Sequence, residues 1–275
     1  RCGALPRAAF GQDAVTALAV IVGLTAMRAG LETLPTSAPN WGTNAVWALA
    51  SVLMIAALCF VFVPVPKPVI LDPPFKGSWV VLQGGGTSMI NHHHALDQQR
   101  WALDLMAVED GSINSGEGDA LEDFYAWDKP LYAPVAGKVV KAVGDKEDQP
   151  LLSLDPENPA GNHVVIQMED GRFVLLAHLK ANSLLVSQGQ QVQCGQRLGS
   201  VGNSGNTTLP HLHIQVSTHI DLFDEDNQAP PVAFRATQRI SAPAHEPTAQ
   251  GLKRNDVLEV DEKAVCGGAG FKEAP

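Results

Sequence analysis

The longest uncharged segment is the feature that most limits how this chain can fold. No Asp, Glu, Lys or Arg occurs between Glu32 and Lys67, and residues 45–63 within this gap are apolar except for Ser51. As a helix, these nineteen residues span about 28 Å, close to the hydrocarbon thickness of a bilayer. The segment predicts a transmembrane helix, because core helices of this length usually keep a polar face.

A second apolar stretch, residues 14–27, is shorter and leaves open a second span or a core helix. We therefore predict an N-terminal membrane region, residues 1–67, with one or two transmembrane helices. This region carries a net charge of +2, from four basic and two acidic residues, whereas the rest of the chain carries −12. The shift in composition predicts that a separate domain follows. Because residue 1 is Arg, it stays open whether the chain is a fragment.

Composition excludes several classes of protein. A formal net charge of −10 argues against a nucleic-acid binder, and 45% apolar residues exclude a disordered chain. Four cysteines without a C-x-x-C spacing exclude a disulfide-built scaffold and a cysteine zinc site. Cys194 and Cys266 could pair outside the cytoplasm, but we expect two free or buried thiols.

The pattern after residue 67 predicts mostly strands, because short apolar runs recur between turn signals. Asp170-Gly171 predicts a hairpin that joins residues 164–168 to residues 173–178. The prediction is a mainly β fold, an antiparallel sheet or sandwich. We divide it into a linker and first strand (68–84), a central domain (85–220) and a C-terminal extension with edge strands and a disordered tail (221–275).

Histidines are concentrated in three informative places, namely 92–94, 178, and the pair His211 and His213. Residues i and i+2 of a strand share one face, roughly 7 Å apart, so one histidine of the pair can bind a metal while the other acts on a neighbouring water. Catalytic zinc takes three protein ligands from His, Asp or Glu and keeps one open position. A histidine-based zinc site is the favoured hypothesis.

Two aspartates are candidates for a carboxylate ligand. Asp97 lies four residues after His93, in a polar segment. Asp104 lies in the apolar run Trp101-Ala-Leu-Asp-Leu-Met, where an unpaired carboxylate would be costly. Asp104 is the better candidate on this argument.

Four motifs, in order along the chain, resemble the lysostaphin-like zinc peptidases of the M23 family. They are the histidine–aspartate region at 92–104, Lys129-Pro-Leu-Tyr-Ala-Pro-Val-Ala-Gly-Lys-Val-Val, the hairpin from Gly161-Asn-His-Val to Leu176-Ala-His-Leu, and Gly195-Gln-Arg-Leu-Gly through Pro210-His-Leu-His-Ile-Gln-Val. The resemblance covers roughly residues 85–220 and implies the duplicated-hybrid-motif type of β fold.

Carried over position by position, the resemblance implies zinc ligands at His93, Asp104 and His213. It implies His178 and His211 as the catalytic pair, one removing a proton from water and the other stabilising the oxyanion. The common H-x-x-x-D spacing would instead select Asp97. The choice among His92, His93 and His94 stays open as well.

The resemblance also implies an activity and a setting. It implies one Zn²⁺ per chain and hydrolysis of the peptide cross-links of bacterial peptidoglycan through a metal-activated water. The expected partners are peptidoglycan peptide stems and the membrane; a regulatory protein partner is left open and no nucleic acid is expected. We expect the chain at the bacterial inner membrane, with its catalytic domain in the periplasm.

Two alternatives stay open. The first is an inactive domain of the same family that binds and activates another cell-wall hydrolase. Such proteins typically lack zinc ligands. The second, suggested by Ala133-Pro-Val-Ala-Gly-Lys-Val-Val, is a phosphocarrier-like module.

Overall fold

The computed structural model describes residues 48–51, 66–221, 224, 226–235, 238–239 and 252–261. The chain forms two compact units, residues 1–65 and 66–275. The predicted span 14–27 lies outside the described residues, and of the span 45–63 only residues 48–51 are described, as helix. No helix among the described residues is long and apolar enough to cross a membrane.

Residues 66–275 contain thirteen described strands. In chain order these are β1 (Val69–Leu71), β2 (Gly77–Gln83), β3 (Leu103–Ala107), β4 (Pro130–Tyr132), β5 (Gly137–Val143), β6 (Asn162–Gln167), β7 (Phe173–Leu179), β8 (Gln191–Val192), β9 (Arg197–Ser200), β10 (Leu212–Ser217), β11 (Val232–Phe234), β12 (Gln238–Arg239) and β13 (Val257–Val260). Three short 3₁₀ helices also occur, at His92–Ala95, Asp97–Gln99 and Leu121–Asp123.

Nine of these strands form one antiparallel sheet in the order β12-β13-β2-β3-β10-β7-β6-β5-β8. Two small sheets accompany it, the parallel pair β1-β11 and the antiparallel pair β4-β9. The prediction of a mainly β, antiparallel fold is confirmed. Residues 69–71, within the predicted linker, form β1, and the C-terminal strands β12 and β13 lie at one edge of the large sheet.

The hairpin predicted from Asp170-Gly171 is present as β6 and β7. Gly171 has φ +87°, and the amide of Met168 donates to the carbonyl of Arg172. Glycine adopts this left-handed conformation without steric cost, so the turn can reverse the chain tightly between two apolar strands.

The two faces of the large sheet differ in what they cover. One face packs against the two small sheets in a continuous apolar core that includes Trp79, Leu131, Ile166, Leu198 and Phe234. The other face has a smaller apolar cluster, Val165, Leu175 and Ala177. Because this apolar cluster is small, polar side chains occupy the positions beside it. The candidate site lies on this face of the sheet.

One expectation about the cysteines is wrong. Cys194 is disulfide-bonded rather than a free thiol. The other three cysteines of the chain lie outside the described residues.

Candidate metal centre

Adjacent strands place a carboxylate beside a histidine on the same sheet face. Asp104 of β3 is the direct cross-strand partner of His213 of β10, and both are buried. Directly opposed residues of an antiparallel pair project to the same face. Asp104 Oδ1 consequently lies 3.0 Å from His213 Nδ1.

His93 reaches the same carboxylate from the 3₁₀ helix His92–Ala95. Asn91 caps this helix: its Oδ1 accepts from the amide of His93, while its Nδ2 donates to three backbone carbonyls, including those of Gly85 and Ala102. The buried Asn91 thus ties the helix to the start of β3. His93 Nε2 lies 3.0 Å from Asp104 Oδ2.

His211 and His178 complete the cluster. His211 Nε2 lies 3.4 Å from Asp104 Oδ1, and its Nδ1 donates to the carbonyl of Leu209. The rings of His178 and His211 lie 4.8 Å apart, centroid to centroid. His178 Nδ1 donates to the carbonyl of Ser204 over 2.9 Å.

A β-bulge brings His178 into this cluster. In the pairing of β6 with β7, Asn162 opposes Leu179 and His163 opposes Ala177, so His178 is the extra residue. Its φ is +62°, in the left-handed region that non-glycine residues rarely adopt. A bulge of this kind re-aims a side chain. The His178 side chain therefore lies beside the rings of His211 and His213. In a regular strand it would project from the other sheet face, away from the side on which Ala177 lies.

Hydrogen-bond partners hold the remaining nitrogens of the two histidines nearest to Asp104. His93 Nδ1 lies 3.1 Å from Gln99 Oε1, and His213 Nε2 lies 3.0 Å from Gln215 Oε1. The amide group of Gln215 donates to the carbonyl of Gln98 and to Ser217 Oγ, which fixes its oxygen toward His213. Each ring nitrogen of His93 and of His213 therefore lies close to an oxygen atom.

Such an arrangement favours a cation beside Asp104. A neutral imidazole has one N–H, so it cannot donate to an amide oxygen and to a carboxylate at the same time. With the N–H directed at the glutamine oxygen, His93 and His213 each point a lone pair at Asp104. Either protonation or a bound cation resolves these acceptor–acceptor contacts. Two imidazoles and one carboxylate are a donor set that zinc prefers.

Charges within the cluster shift its pKa values. Burial alone would raise the pKa of Asp104, but the charges of His211 and His93, together with the hydrogen bonds that His211 and His213 donate when protonated, hold it well below the usual range. Burial would lower the pKa of His211, yet the charge of Asp104 and the hydrogen bonds to Asp104 and the Leu209 carbonyl raise it. Asp104 is therefore a carboxylate, as a metal ligand must be.

The structure brings together all five residues proposed for the site: His93, Asp104, His178, His211 and His213. Asp97 lies apart from them. It is exposed and forms an ion pair with Arg100. Among the neighbouring histidines, His94 lies near the Arg100 guanidinium.

His92 stays an alternative ligand. One donor atom each from His92, His93 and Asp104 lies within 4.8 Å of the others. His92 is exposed, however, whereas His213 is buried and held at its second nitrogen by Gln215. This second contact favours His213 as the third ligand.

Sequence reasoning missed the residues that orient the ligands. Gln99 and Gln215 were not singled out, although Gln215 lies two residues after His213 on the same strand and hence on the same face. That spacing was a usable signal. Gln99 contacts His93 across a helix boundary, and no periodicity predicts such a contact.

Comparison with known proteins gives one family match. Residues 122–228 match the family model of peptidase family M23. The matched segment includes His178, His211 and His213, whereas His93 and Asp104 precede it.

Two curated relatives match parts of the chain. Peptidoglycan DD-endopeptidase ShyA of Vibrio cholerae serotype O1 is 46% identical over 57 residues, 21% of this chain and 13% of the relative. An uncharacterized metalloprotease of Buchnera aphidicola subsp. Baizongia pistaciae is 30% identical over 96 residues, 35% of this chain and 24% of the relative. The chain thus covers less than a quarter of either relative's length.

Solved structures are similar over about half of the chain. The catalytic domain of lysostaphin from Staphylococcus simulans is 23% identical, with a TM-score of 0.30, over 47% of this chain and 74% of that domain. A zinc-containing peptidase from Vibrio cholerae is 21% identical, with a TM-score of 0.35, over 55% of this chain and 37% of that protein.

Proposed function

We propose that this chain, whose residues 122–228 match the peptidase family M23 model, is a zinc-dependent endopeptidase that hydrolyses the peptide cross-links of bacterial peptidoglycan. The observation that carries the proposal is the pair of buried histidines whose ring nitrogens each lie 3.0 Å from one oxygen of Asp104. His93, Asp104 and His213 would hold one zinc ion per chain.

The surrounding groups are suited to that metal. Gln99 and Gln215 fix the ring orientation of His93 and His213 and leave Nε2 and Nδ1, respectively, free to bind. Contacts of this kind raise metal affinity and select the tautomer. When bound, zinc supplies Lewis-acid chemistry that activates a water and polarises a peptide carbonyl.

His178 and His211 supply the proton-transfer groups. Each donates from Nδ1 to a backbone carbonyl, which leaves Nε2 to accept a proton or to return it. We assign the general-base role to His178, since Asp104 already lies 3.4 Å from Nε2 of His211. His211 then acts on the developing charge of the substrate oxygen.

Different observations support the proposed substrate class and the proposed cellular setting. The relative named as a peptidoglycan DD-endopeptidase supports peptidoglycan peptides as substrate. The disulfide bond at Cys194 supports a location outside the reducing cytoplasm, as expected for an enzyme of the periplasm. The apolar residues 45–63 support a membrane anchor.

Zinc content of the purified full chain tests the proposal most directly. We expect one zinc per wild-type chain, loss of zinc and of muropeptide cleavage in Asp104→Ala, and retention of both in Asp97→Ala. The second variant is the matched control, because it removes the same side chain from the exposed ion pair with Arg100.

Other outcomes would correct or overturn the proposal. Zinc loss only in Asp97→Ala would keep the enzyme and change the ligand. A folded wild-type chain without zinc or cleavage would favour the inactive activator of another hydrolase. Phosphorylation of a histidine by a phosphoryl donor, again without zinc, would favour the phosphocarrier.

A further inference from the structure

A cavity of about 490 Å³ opens on the sheet beside the histidine cluster. Its floor includes His163 of β6 and Lys141 and Val143 of β5, and its walls include the segment 157–161 and Ile220. The residues proposed for metal binding and proton transfer do not line it. It therefore requires an explanation of its own.

Strand register places this cavity on the same face as the candidate metal centre. Ala177 of β7 is the direct partner of His213 on one side and of His163 on the other. His163 and His213 are two strand spacings apart, a distance of about 10 Å. An extended peptide covers this distance with about three residues. A peptide bound at the metal centre can reach the cavity with a group a few residues from the cleaved bond.

His163 is the unusual group in the cavity. It is 6% exposed, and its Nδ1 donates to the carbonyl of Gly161 over 2.7 Å. Its Nε2 is buried and has no hydrogen-bond partner in the part of the chain that the structure describes. A buried polar atom without a partner is costly, so a ligand that supplies a donor would be favoured there.

The charged groups define the rest of the ligand. Lys141 acts on His163 electrostatically, and Lys146 lines the same cavity. Two ammonium groups favour an anion such as a carboxylate. Glu157 also lines the cavity and favours a nitrogen donor beside that carboxylate. A carboxylate next to an N–H group is the chemistry of the free end of a peptide or of an amino-acid side chain.

We propose that this cavity is a subsite for a free carboxylate of the peptide substrate, with Lys141 and Lys146 binding the carboxylate and Nε2 of His163 accepting from the neighbouring N–H. The inference rests on the proposed function, because it names the part of the substrate that the peptidase recognises away from the cleaved bond. It adds a specificity determinant on β5 and β6.

The test compares two cross-linked muropeptide dimers that differ only in their free carboxylates, which are intact in one and converted to carboxamides in the other. For the zinc-loaded full chain we expect a KM about tenfold lower for the carboxylate dimer, with similar kcat, since a charge-assisted hydrogen bond is lost in the carboxamide. Lys141→Gln should abolish most of this preference. Lys138→Gln is the matched control, because Lys138 lies on the same strand, is exposed and does not line the cavity.

A binding measurement separates failure of the subsite from failure of the proposed function. Both dimers are titrated calorimetrically into full-length Asp104→Ala, which should not cleave them. A tenfold lower Kd for the carboxylate dimer, lost on adding Lys141→Gln, supports the subsite even if the wild type cleaves neither dimer. Equal Kd values for the two dimers, or an equal effect of Lys138→Gln, overturn it whether or not the wild type is active.

Discussion

Buried histidines occur at two places on one sheet face, a cluster around Asp104 and the single residue His163, and the two places differ in how the ring nitrogens are satisfied. Around Asp104, His93 and His213 have an oxygen at both ring nitrogens. About 10 Å away across β7, His163 has an oxygen at one nitrogen and no partner at the other among the described residues. The cluster around Asp104 has more hydrogen-bond acceptors than donors, whereas Nε2 of His163 is an acceptor that lacks a donor.

This difference separates two kinds of site. A surplus of acceptors favours a cation, because one metal ion accepts lone pairs from several ligands at once. An unpaired hydrogen-bond acceptor beside two lysines indicates a ligand that carries both a hydrogen-bond donor and an anionic group. The same residue type on the same sheet therefore indicates metal binding in one place and substrate recognition in the other.

The largest effect is expected from loss of the third ligand. His213→Ala should remove zinc and lower turnover by more than about a thousandfold, because only two of the three proposed ligands remain. His92→Ala should keep both zinc and most activity. Metal analysis and muropeptide cleavage check both variants, and the opposite pattern would make His92 the ligand.

Removal of the proposed base should separate catalysis from metal binding. His178→Ala should retain one zinc per chain while kcat falls by about 10²–10⁴-fold, the usual contribution of a general base. The measurement is kcat at saturating substrate, with zinc content determined on the same sample. A variant with wild-type kcat would remove His178 from the mechanism.

The glutamines should show a smaller effect on the metal. Gln215→Ala should weaken zinc affinity about 10–100-fold by releasing His213 from its orientation. Competition with a chelator measures this affinity directly. Gln167→Ala, at the far end of β6, is a matched control that should leave zinc affinity unchanged.

The smallest effect concerns the pH dependence of stability at His163. Burial lowers the pKa of His163, and the charge of Lys141 lowers it further, whereas the hydrogen bond to the Gly161 carbonyl raises it. The other charged residues that line the same cavity are Lys146, Glu157 and Asp221. As pH falls below about 6.5 the unfolded histidine gains a proton before the folded one does. The free energy of unfolding therefore falls.

His163→Gln should lose this contribution. Between pH 7 and pH 5, its free energy of unfolding, measured by urea titration, should decrease less than that of the wild type. An identical decrease in both proteins would contradict the lowered pKa.

Much of the fold was predictable from local patterns. The hairpin at Asp170-Gly171 needed only a turn signal between two apolar runs, and both strands formed as expected. The spacing of His211 and His213 predicted a shared face, and both histidines contact Asp104. The argument against an unpaired carboxylate in an apolar strand singled out Asp104, which does lie in the cluster. These inferences succeeded because each depends on neighbours close in sequence.

Other features depended on contacts between distant segments. Sequence reasoning left Asp97 as an alternative and expected Cys194 as a thiol, whereas the structure places Asp97 beside Arg100 and Cys194 in a disulfide. It also passed over His163 and Gln99. No local pattern reports a disulfide partner or the environment of a buried ring nitrogen.

The sequence by itself determined the residue types of a histidine–aspartate metal centre and the alternation that builds a mainly β sheet around them. Only the tertiary structure decided which nitrogen of each histidine faces Asp104, and which face His178 occupies. The physical reason is that alternation along a strand is a local property. A bulge, a tautomer and a cavity arise instead from hydrogen bonds between strands and loops that the chain brings together only on folding.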